Sequence, residues 1–348
     1  MTTPFRLFSL PFIPLKQVLD NFVPNGIIIL SLCSLRSKSI AVSYSGPSKD
    51  VQLMLEFGPG LESLEVSNTN TLLRVDKTAN IPMDEILETV RIGSFEKVPV
   101  KIEQGLGEEK HLITYWEDRM TGVAAIGDYG REIFNRDIYE VRIGEKEAED
   151  DHRRVAEWVK SSQKTIQSLD CNFKPKIDND LDFILENFKY THTLVLYVKP
   201  SEQYSPAKLP NFRIDSLYIY ISFWIKQDHL LTMDCKYIVL EGLKLSSRDL
   251  NVFLKHWMAG GCSKLKELRV ITGESIDYQI VLDGVEFTER GRDVERVYVD
   301  EDESHRTIKG GFDTKRPSDS VKVTINIEGG NSRFFMMIVW PDFAGNSY

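Results

Sequence analysis

Catalysis in this chain would have to be assembled from scarce parts. Six histidines, His111, His152, His192, His229, His256 and His305, are scattered, none four residues from another, and no HExxH occurs. A zinc site needs several ligands to converge, so here it could come only from distant residues. Cys33, Cys171, Cys235 and Cys262 form no CxxC, which excludes a paired metal or redox motif and a disulfide-dense scaffold. Gly58-Pro59-Gly60 and Gly105-Leu106-Gly107 lack both the remaining glycine of a dinucleotide loop and a Walker lysine, and read as turns. No GxSxG elbow is present. The acidic run Asp300-Glu301-Asp302-Glu303 has the charge to hold a cation or a basic partner, but a run of like charges between strands reads as a solvated loop. Trp158 and Trp257 could anchor a ligand, yet each falls on the apolar stripe of a periodic helix, where burial is the default. The sequence predicts neither a catalytic residue, nor a metal site, nor a cofactor.

The elements carrying these residues fall into segments. At 348 residues, 42% hydrophobic, the chain exceeds one minimal domain and leaves room for two or three. Its net charge of −9 argues against a protein that coats nucleic acid or anionic lipid. The longest apolar stretch near the start, Ile27 to Leu35, is half the roughly 20 residues a bilayer span needs. With no such span, no N-x-S/T acceptor and few cysteines, the chain reads as soluble and intracellular, cytoplasmic or nuclear, with no membrane partner.

Residues 1–50 carry five basic and two acidic side chains, so the excess of negative charge lies entirely beyond them. Leu15, Val18, Leu19 and Phe22 recur at the one-face spacing of a short helix, entered at Pro14 and stopped by Pro24, and a second helix is expected from Ile27 to about Arg36. So many apolar side chains on so little helix leave a face for a partner. Residues 51–145 change to short β-type runs, 51–57, 61–66, 71–75, 111–116 and 137–143. A helix with Val155, Trp158 and Val159 on one face opens near residue 150, where the main boundary is placed.

Beyond it, helix and strand signals alternate. Leu181, Ile184, Leu185 and Phe188 have helical spacing, and strands centred near Leu196, Tyr218, Val239 and Leu268 recur at roughly the 20–29-residue period of leucine-rich repeats. Ser246 to Asp249 forms a capping-box variant opening a helix with Leu250, Phe253, Leu254 and Trp257 on one face and Gly260-Gly261 at its end. Two further runs, 320–328 and 333–340, flank Gly329-Gly330-Asn331 as a hairpin.

Two segments resemble one family. The apolar start Phe5 and Leu7, the Leu10-Pro11 pair, the helix with Leu15, Val18 and Leu19, the Pro24 break and a second helix ending in a small-residue and basic stretch resemble the F-box. The tryptophan often found near the end of that motif is absent, and Ser37-Lys38-Ser39 stands in the region. The block from Leu250 to Val270, a helix with Lys255-His256-Trp257 and a glycine turn before a strand, resembles the type 2 F-box-associated domain of the large nematode F-box family.

The resemblance implies a short all-α F-box over residues 1–48, a β-rich region over 49–149 and a leucine-rich-repeat-like α/β domain over 150–348, for an α+β and α/β chain in all. It implies a non-catalytic adaptor: the F-box docks on the Skp-type linker of a cullin–RING ubiquitin ligase through Leu7, Leu10, Pro11, Leu15, Val18, Leu19, Phe22 and Leu30, and the C-terminal domain takes a substrate protein. The residues alone leave a second reading open, a stand-alone repeat-type interaction protein whose first 45 residues cap its own β region. Exposure of Leu10, Pro11, Leu15, Val18 and Leu19 favours docking, and their burial against residues 51–145 favours the cap.

Overall fold

The structure, a computed structural model, describes residues 7–58, 62–66, 69–104, 110–145, 150–174, 178–187, 192–206, 208, 212–299, 305–326 and 333–340. Phe5, the turns at Pro59-Gly60, 105–107 and 329–331, and the acidic run 300–303 lie outside the described residues. Contacts divide the chain into two units, Met1–Phe173 and Lys174–Tyr348.

The first unit opens with three short helices, α1 (Phe12–Asp20), α2 (Pro24–Leu32) and α3 (Leu35–Ser43). Pro24 stands at the first turn of α2, where its fixed φ suits a helix start and its missing N–H would be unsatisfied anyway. The single helix expected from Ile27 to Arg36 is therefore two, split at Ser34, whose Oγ accepts the Ser37 N–H at 3.1 Å and caps α3. After them come β1 (Leu53–Phe57), β2 (Ser63–Val66), β3 (Thr69–Lys77), β4 (Glu88–Ile92), β5 (Phe95–Gln104), β6 (Lys110–Trp116), the long α4 (Arg119–Phe134), β7 (Ile138–Ile143), α5 (Asp151–Ser162) and β8 (Ser168–Cys171). The strands run in the order β8-β7-β1-β2-β3-β6-β5-β4. β8, β7 and β1 are parallel, as are β3 and β6, and the other pairs are antiparallel.

Helix α4 organises this unit, packing on β1, β2, β3, β4 and β6 and on α2, α3 and α5. Its glycines are what a propensity reading marks against a helix, yet each faces a neighbour at close range. A Cβ at Gly122 would lie 2.7 Å from the Trp116 ring, one at Gly127 within 2.9 Å of both Leu55 and Trp158, and one at Gly130 2.4 Å from Leu64. Asp118 caps the helix, accepting the Thr121 N–H at 3.2 Å. Asn135, in the left-handed region at φ 51°, closes it. The buried pair Arg119 and Glu62 ties its first turn to the entry of β2.

The change in organisation expected near residue 150 and the division between the units fall at different places, because α5 packs on α4 and β8 pairs with β7. Gln163, at the end of α5, makes that attachment polar as well as apolar. Its buried side chain accepts the Ile138 N–H at 3.0 Å and donates to the Ile138 carbonyl at 2.8 Å, as a neighbouring strand would.

The second unit begins with α6 (Asn179–Asn187), then β9 (Thr193–Leu196), β10 (Ser216–Ile219), α7 (Gln227–Thr232), β11 (Tyr237–Leu243), α8 (Ser247–Met258), β12 (Glu267–Thr272) and the one-turn α9 (Tyr278–Val281). Four strands follow, β13 (Thr288–Val299), β14 (His305–Lys315), β15 (Lys322–Asn326) and β16 (Phe334–Val339). β9, β10, β11 and β12 lie side by side in chain order, all parallel, and β16-β15-β14-β13 continue from β12 antiparallel. Between β11 and β12, α8 has the predicted capping box: Asp249 Oδ2 accepts the Ser246 N–H at 2.8 Å while Ser246 Oγ accepts the Asp249 N–H at 3.3 Å. Leu250, Phe253, Leu254 and Trp257 are all fully buried, so Trp257 belongs to the core, with the Arg316 guanidinium 4.4 Å from its ring centre.

A buried polar knot holds the last four strands. Arg296 on β13 donates to Asp313 on β14 at 2.6 Å, to Thr324 on β15 at 2.8 Å and to the Gly310 carbonyl at 2.7 Å. Trp340, just past β16, donates its indole N–H to the same Thr324 hydroxyl at 2.7 Å. Burial pushes the Asp313 carboxyl up, but Arg296, Thr324 and Arg290 outweigh it and hold the group below its ordinary value.

Two outcomes check the role of α4. Gly127→Ala should destabilise the chain by about 1–2 kcal/mol in urea unfolding, because overpacking of about 1–3 kcal/mol outweighs the roughly 1 kcal/mol that alanine gains in a helix; a rise in stability would mean that α4 does not approach the sheet this closely. Hydrogen bonds from Arg154 and Thr121 hold the Asp118 carboxyl down at about 2, with the Arg154 bond the larger cause and partial burial opposing. A depressed folded value stabilises above the ordinary carboxyl range and is lost as pH falls through the folded value. Wild type should therefore lose stability more steeply between pH about 4 and about 2 than Asp118→Asn, which keeps a capping side chain without the charge, measured by urea midpoints at each pH.

Candidate docking surfaces

Three of the four cysteines and two of the six histidines, His152 and His229, are turned inward. Cys171, Cys235 and Cys262 are buried, and burial pushes the Cys235 thiol up to about 12 and Cys262 to about 11, so both are held as thiols. His229 is buried, its Nδ1 accepting the Lys226 N–H at 3.2 Å, and burial lowers its pKa. Among the described residues no three His, Cys, Asp or Glu side chains gather closely enough to hold a metal ion, and no helix is long and apolar enough to cross a membrane. What remains outward is surface.

In the first unit that surface is the helical N-terminus. Leu19 is buried; Leu7, Leu10, Leu15, Val18, Phe22 and Leu30 are half-buried; Pro11 is exposed. The inner side is held firmly. Ile27 and Ile28 of α2 are fully buried, and α2 packs on α4, β3 and β4. Ser31 Oγ and Tyr129 Oη lie 2.8 Å apart, joining α2 to α4, and burial pushes the Tyr129 hydroxyl up to about 12. Lys38 of α3 pairs with Glu132 of α4 at 2.8 Å. Within the module, Tyr44 donates to Asp20 at 2.8 Å, and Arg36 donates to the Phe8 carbonyl at 2.9 Å.

The outer side is apolar. Six of the eighteen exposed large apolar side chains among the described residues fall between residues 12 and 42: Phe12, Ile13, Val23, Ile29, Leu35 and Val42, with Phe12 at 78% and Ile13 at 70% exposure. Helical periodicity had pointed elsewhere, because it finds the stripe a helix turns inward. The signal for the outer side was excess: α1 carries Phe12, Ile13, Leu15, Val18 and Leu19 in nine residues, more than one stripe accommodates.

In the second unit the parallel strands bury one face throughout, while the other opens toward the strands' C-terminal ends. Leu194, Leu196, Leu217, Ile219, Ile238, Leu240, Leu268 and Val270 are buried. On the other face the register aligns Thr193 with Ser216, Tyr237 and Glu267, the last three buried, then Val195, Tyr218, Val239 and Arg269. One step on, Tyr197, Tyr220, Glu241 and Ile271 follow at the strands' C-terminal ends. Val195, Tyr218, Val239 and Arg269 are half-buried and Tyr197 is 40% exposed. Parallel sheets are usually covered on both faces, so an open aromatic face is a place for a ligand or a partner. At the strands' N-terminal ends Lys236 donates to Asp215 at 2.7 Å, and that bond holds the Asp215 carboxyl below its ordinary value. Elsewhere in the unit a cavity of about 470 Å³ is lined by Phe287, Arg290, Lys315 and Lys322, with Arg290 engaged by Asp313 at 2.9 Å.

Comparison with known proteins bears on this second unit. A family model described as F-box associated matches residues 208–270, which run from the approach to β10 through most of β12 and contain the Leu250 to Val270 block. A protein of Caenorhabditis elegans described as uncharacterized is 20% identical over 278 residues, covering 79% of this chain and 64% of that protein. The chain thus spans just under two thirds of that relative's length. No solved structure matches the chain. The F-box-associated part of the resemblance is thereby supported by a match that includes its own residues.

The seam between α2 and α4 generates a test. Tyr129→Phe removes the hydroxyl that meets Ser31 and should lower stability by about 1 kcal/mol, with amide exchange at Ile27 and Ile28 accelerated more than exchange in β7; uniform acceleration would mean that the seam does not rest on this bond.

Proposed function

We propose that the chain is a non-catalytic substrate-recognition adaptor of an SCF-type cullin–RING ubiquitin ligase. Residues 1–48 act as the F-box and bind the Skp-type linker, and through it a cullin; residues 49–149 form a β-rich region; residues 150–348 take the target protein. The activity is tethering: holding a target raises its effective concentration beside the ubiquitin-loaded enzyme, and the chemistry belongs to other subunits. Such an adaptor works inside the cell, in the cytoplasm or the nucleus. The observation that carries the reading is the F-box-associated match over 208–270, preceded in the chain by a three-helix segment with an exposed apolar side. In that reading Pro11 and the outward side chains Phe12 and Ile13 contact the linker, with Leu7, Leu10, Leu15, Val18, Phe22 and Leu30 at the margin and Leu19 supporting them from within.

One observation favours the second reading, a stand-alone interaction protein with a helical cap. α2 packs on β3 and β4, as a cap would. A cap accounts for the buried side of the helices and leaves Phe12 and Ile13 without a role.

The test uses the full chain, since deleting residues 1–48 would strip α2 from α4. Wild type should retain a purified Skp-type linker, and Phe12→Ala with Ile13→Ala should weaken it about thirtyfold, the loss of about 2 kcal/mol typical of a central apolar anchor, at an unchanged melting temperature. Equal binding by the double variant, or no binding by wild type, would overturn the F-box assignment.

A further inference from the structure

The third row of the open sheet face in the second unit holds an unfinished arrangement. Tyr197 and Tyr220 stack with ring centres 4.0 Å apart and planes 4° from parallel. Neighbouring strands lie about 4.8 Å apart, so this stack crosses the sheet at one plate per strand. The next plate on Tyr220 falls toward β11, which pairs with β10 as far as Ile219 and Leu240 and continues into Glu241, half-exposed. The backbone of Glu241 is fixed from below: buried Ser222 donates both its N–H and its hydroxyl to the Glu241 carbonyl, each at 2.8 Å. Immediately afterwards the ladder to β12 slips between Glu241 and Leu243, at Gly242 with φ +76°. A Cβ built on Gly242 would meet nothing within 4 Å. A bulge of this kind re-aims the side chain beside it. Lys244, the nearest cation in the sequence, is turned to the Phe223 ring, 5.1 Å from its centre.

A planar cation completes such a row. A guanidinium stacks on an aromatic face, and its paired N–H groups match the two oxygens of a carboxylate, whereas an ammonium supplies charge without the plate. Building on the recognition role proposed above, we propose that Tyr220 and Glu241 hold an arginine side chain of the target protein, its guanidinium forming the third plate of the Tyr197–Tyr220 stack and pairing with the Glu241 carboxylate.

The probes are three acetylated, amidated pentapeptides with arginine, lysine or citrulline between paired glycines, titrated into the full chain carrying carbon-13-labelled tyrosine. The Tyr220 ring signals should move saturably with the arginine peptide, and the lysine and citrulline peptides should bind at least about fivefold more weakly, equivalent to about 1 kcal/mol. Glu241→Gln should weaken the arginine peptide by a similar factor at an unchanged melting temperature. Three equal curves, a Glu241→Gln chain that binds as tightly as wild type, or no saturable shift up to about 20 mM peptide would each overturn the assignment. The titration contains no linker subunit, so a chain that takes the arginine peptide but not the linker fails the adaptor reading alone. One that takes the linker but not the peptide fails this inference alone.

Discussion

The distance of closest approach between α4 and the sheet beneath it governs the first unit. Gly122, Gly127 and Gly130 let the helix backbone settle onto Trp116, Leu55, Trp158 and Leu64 without a methyl group between them. In isolation each glycine costs a helix about 1 kcal/mol relative to alanine. Burial of the large side chains they admit offsets that cost, since each fully buried large apolar group contributes about 1.5–3 kcal/mol. Everything attached to α4 inherits its position: α5 through Arg154 and Asp118, α2 through Ser31 and Tyr129, α3 through Lys38 and Glu132.

That helix was also the least legible part of the sequence. Strands β1, β2, β3, β6 and β7 stood out because their apolar residues alternate or run together between turn residues, and α8 because its cap, apolar stripe and terminal glycines agree. Residues 119–134 hold three glycines, so local propensity argued against the element that tertiary packing required. β4 and β5 were hidden for a related reason: they carry Glu88, Arg91, Glu96, Lys97 and Lys101, and only part of their length is buried. The docking residues divided similarly. Periodicity selected Leu15, Val18 and Leu19, the side of α1 that turns in, while Phe12 and Ile13, which turn out, obey no spacing rule.

The two surfaces differ in chemistry, which fits two different tasks. The N-terminal surface is largely aliphatic and aromatic, with Arg36 exposed beside Leu35. The open sheet face mixes tyrosines with Glu241 and Arg269, giving directional contacts that discriminate between side chains. A rigid ladder of parallel strands can change such contacts residue by residue without disturbing the buried face, because successive side chains on a strand point to opposite sides.

The knot around Arg296 bears on how the last four strands assemble. Its members come from β13, β14 and β15 and from the residue after β16, and Arg296 is 3% exposed. The ion pair itself joins β13 to β14, so a sheet with those two strands but without β15 keeps it and loses the Thr324 hydroxyl that both charged groups share. The charged half of the knot thus belongs to a single hairpin, and its neutral half comes from β15 and Trp340. A chain cut after β14 would keep the ion pair and lose the hydroxyl and the indole that complete the hydrogen bonds around it.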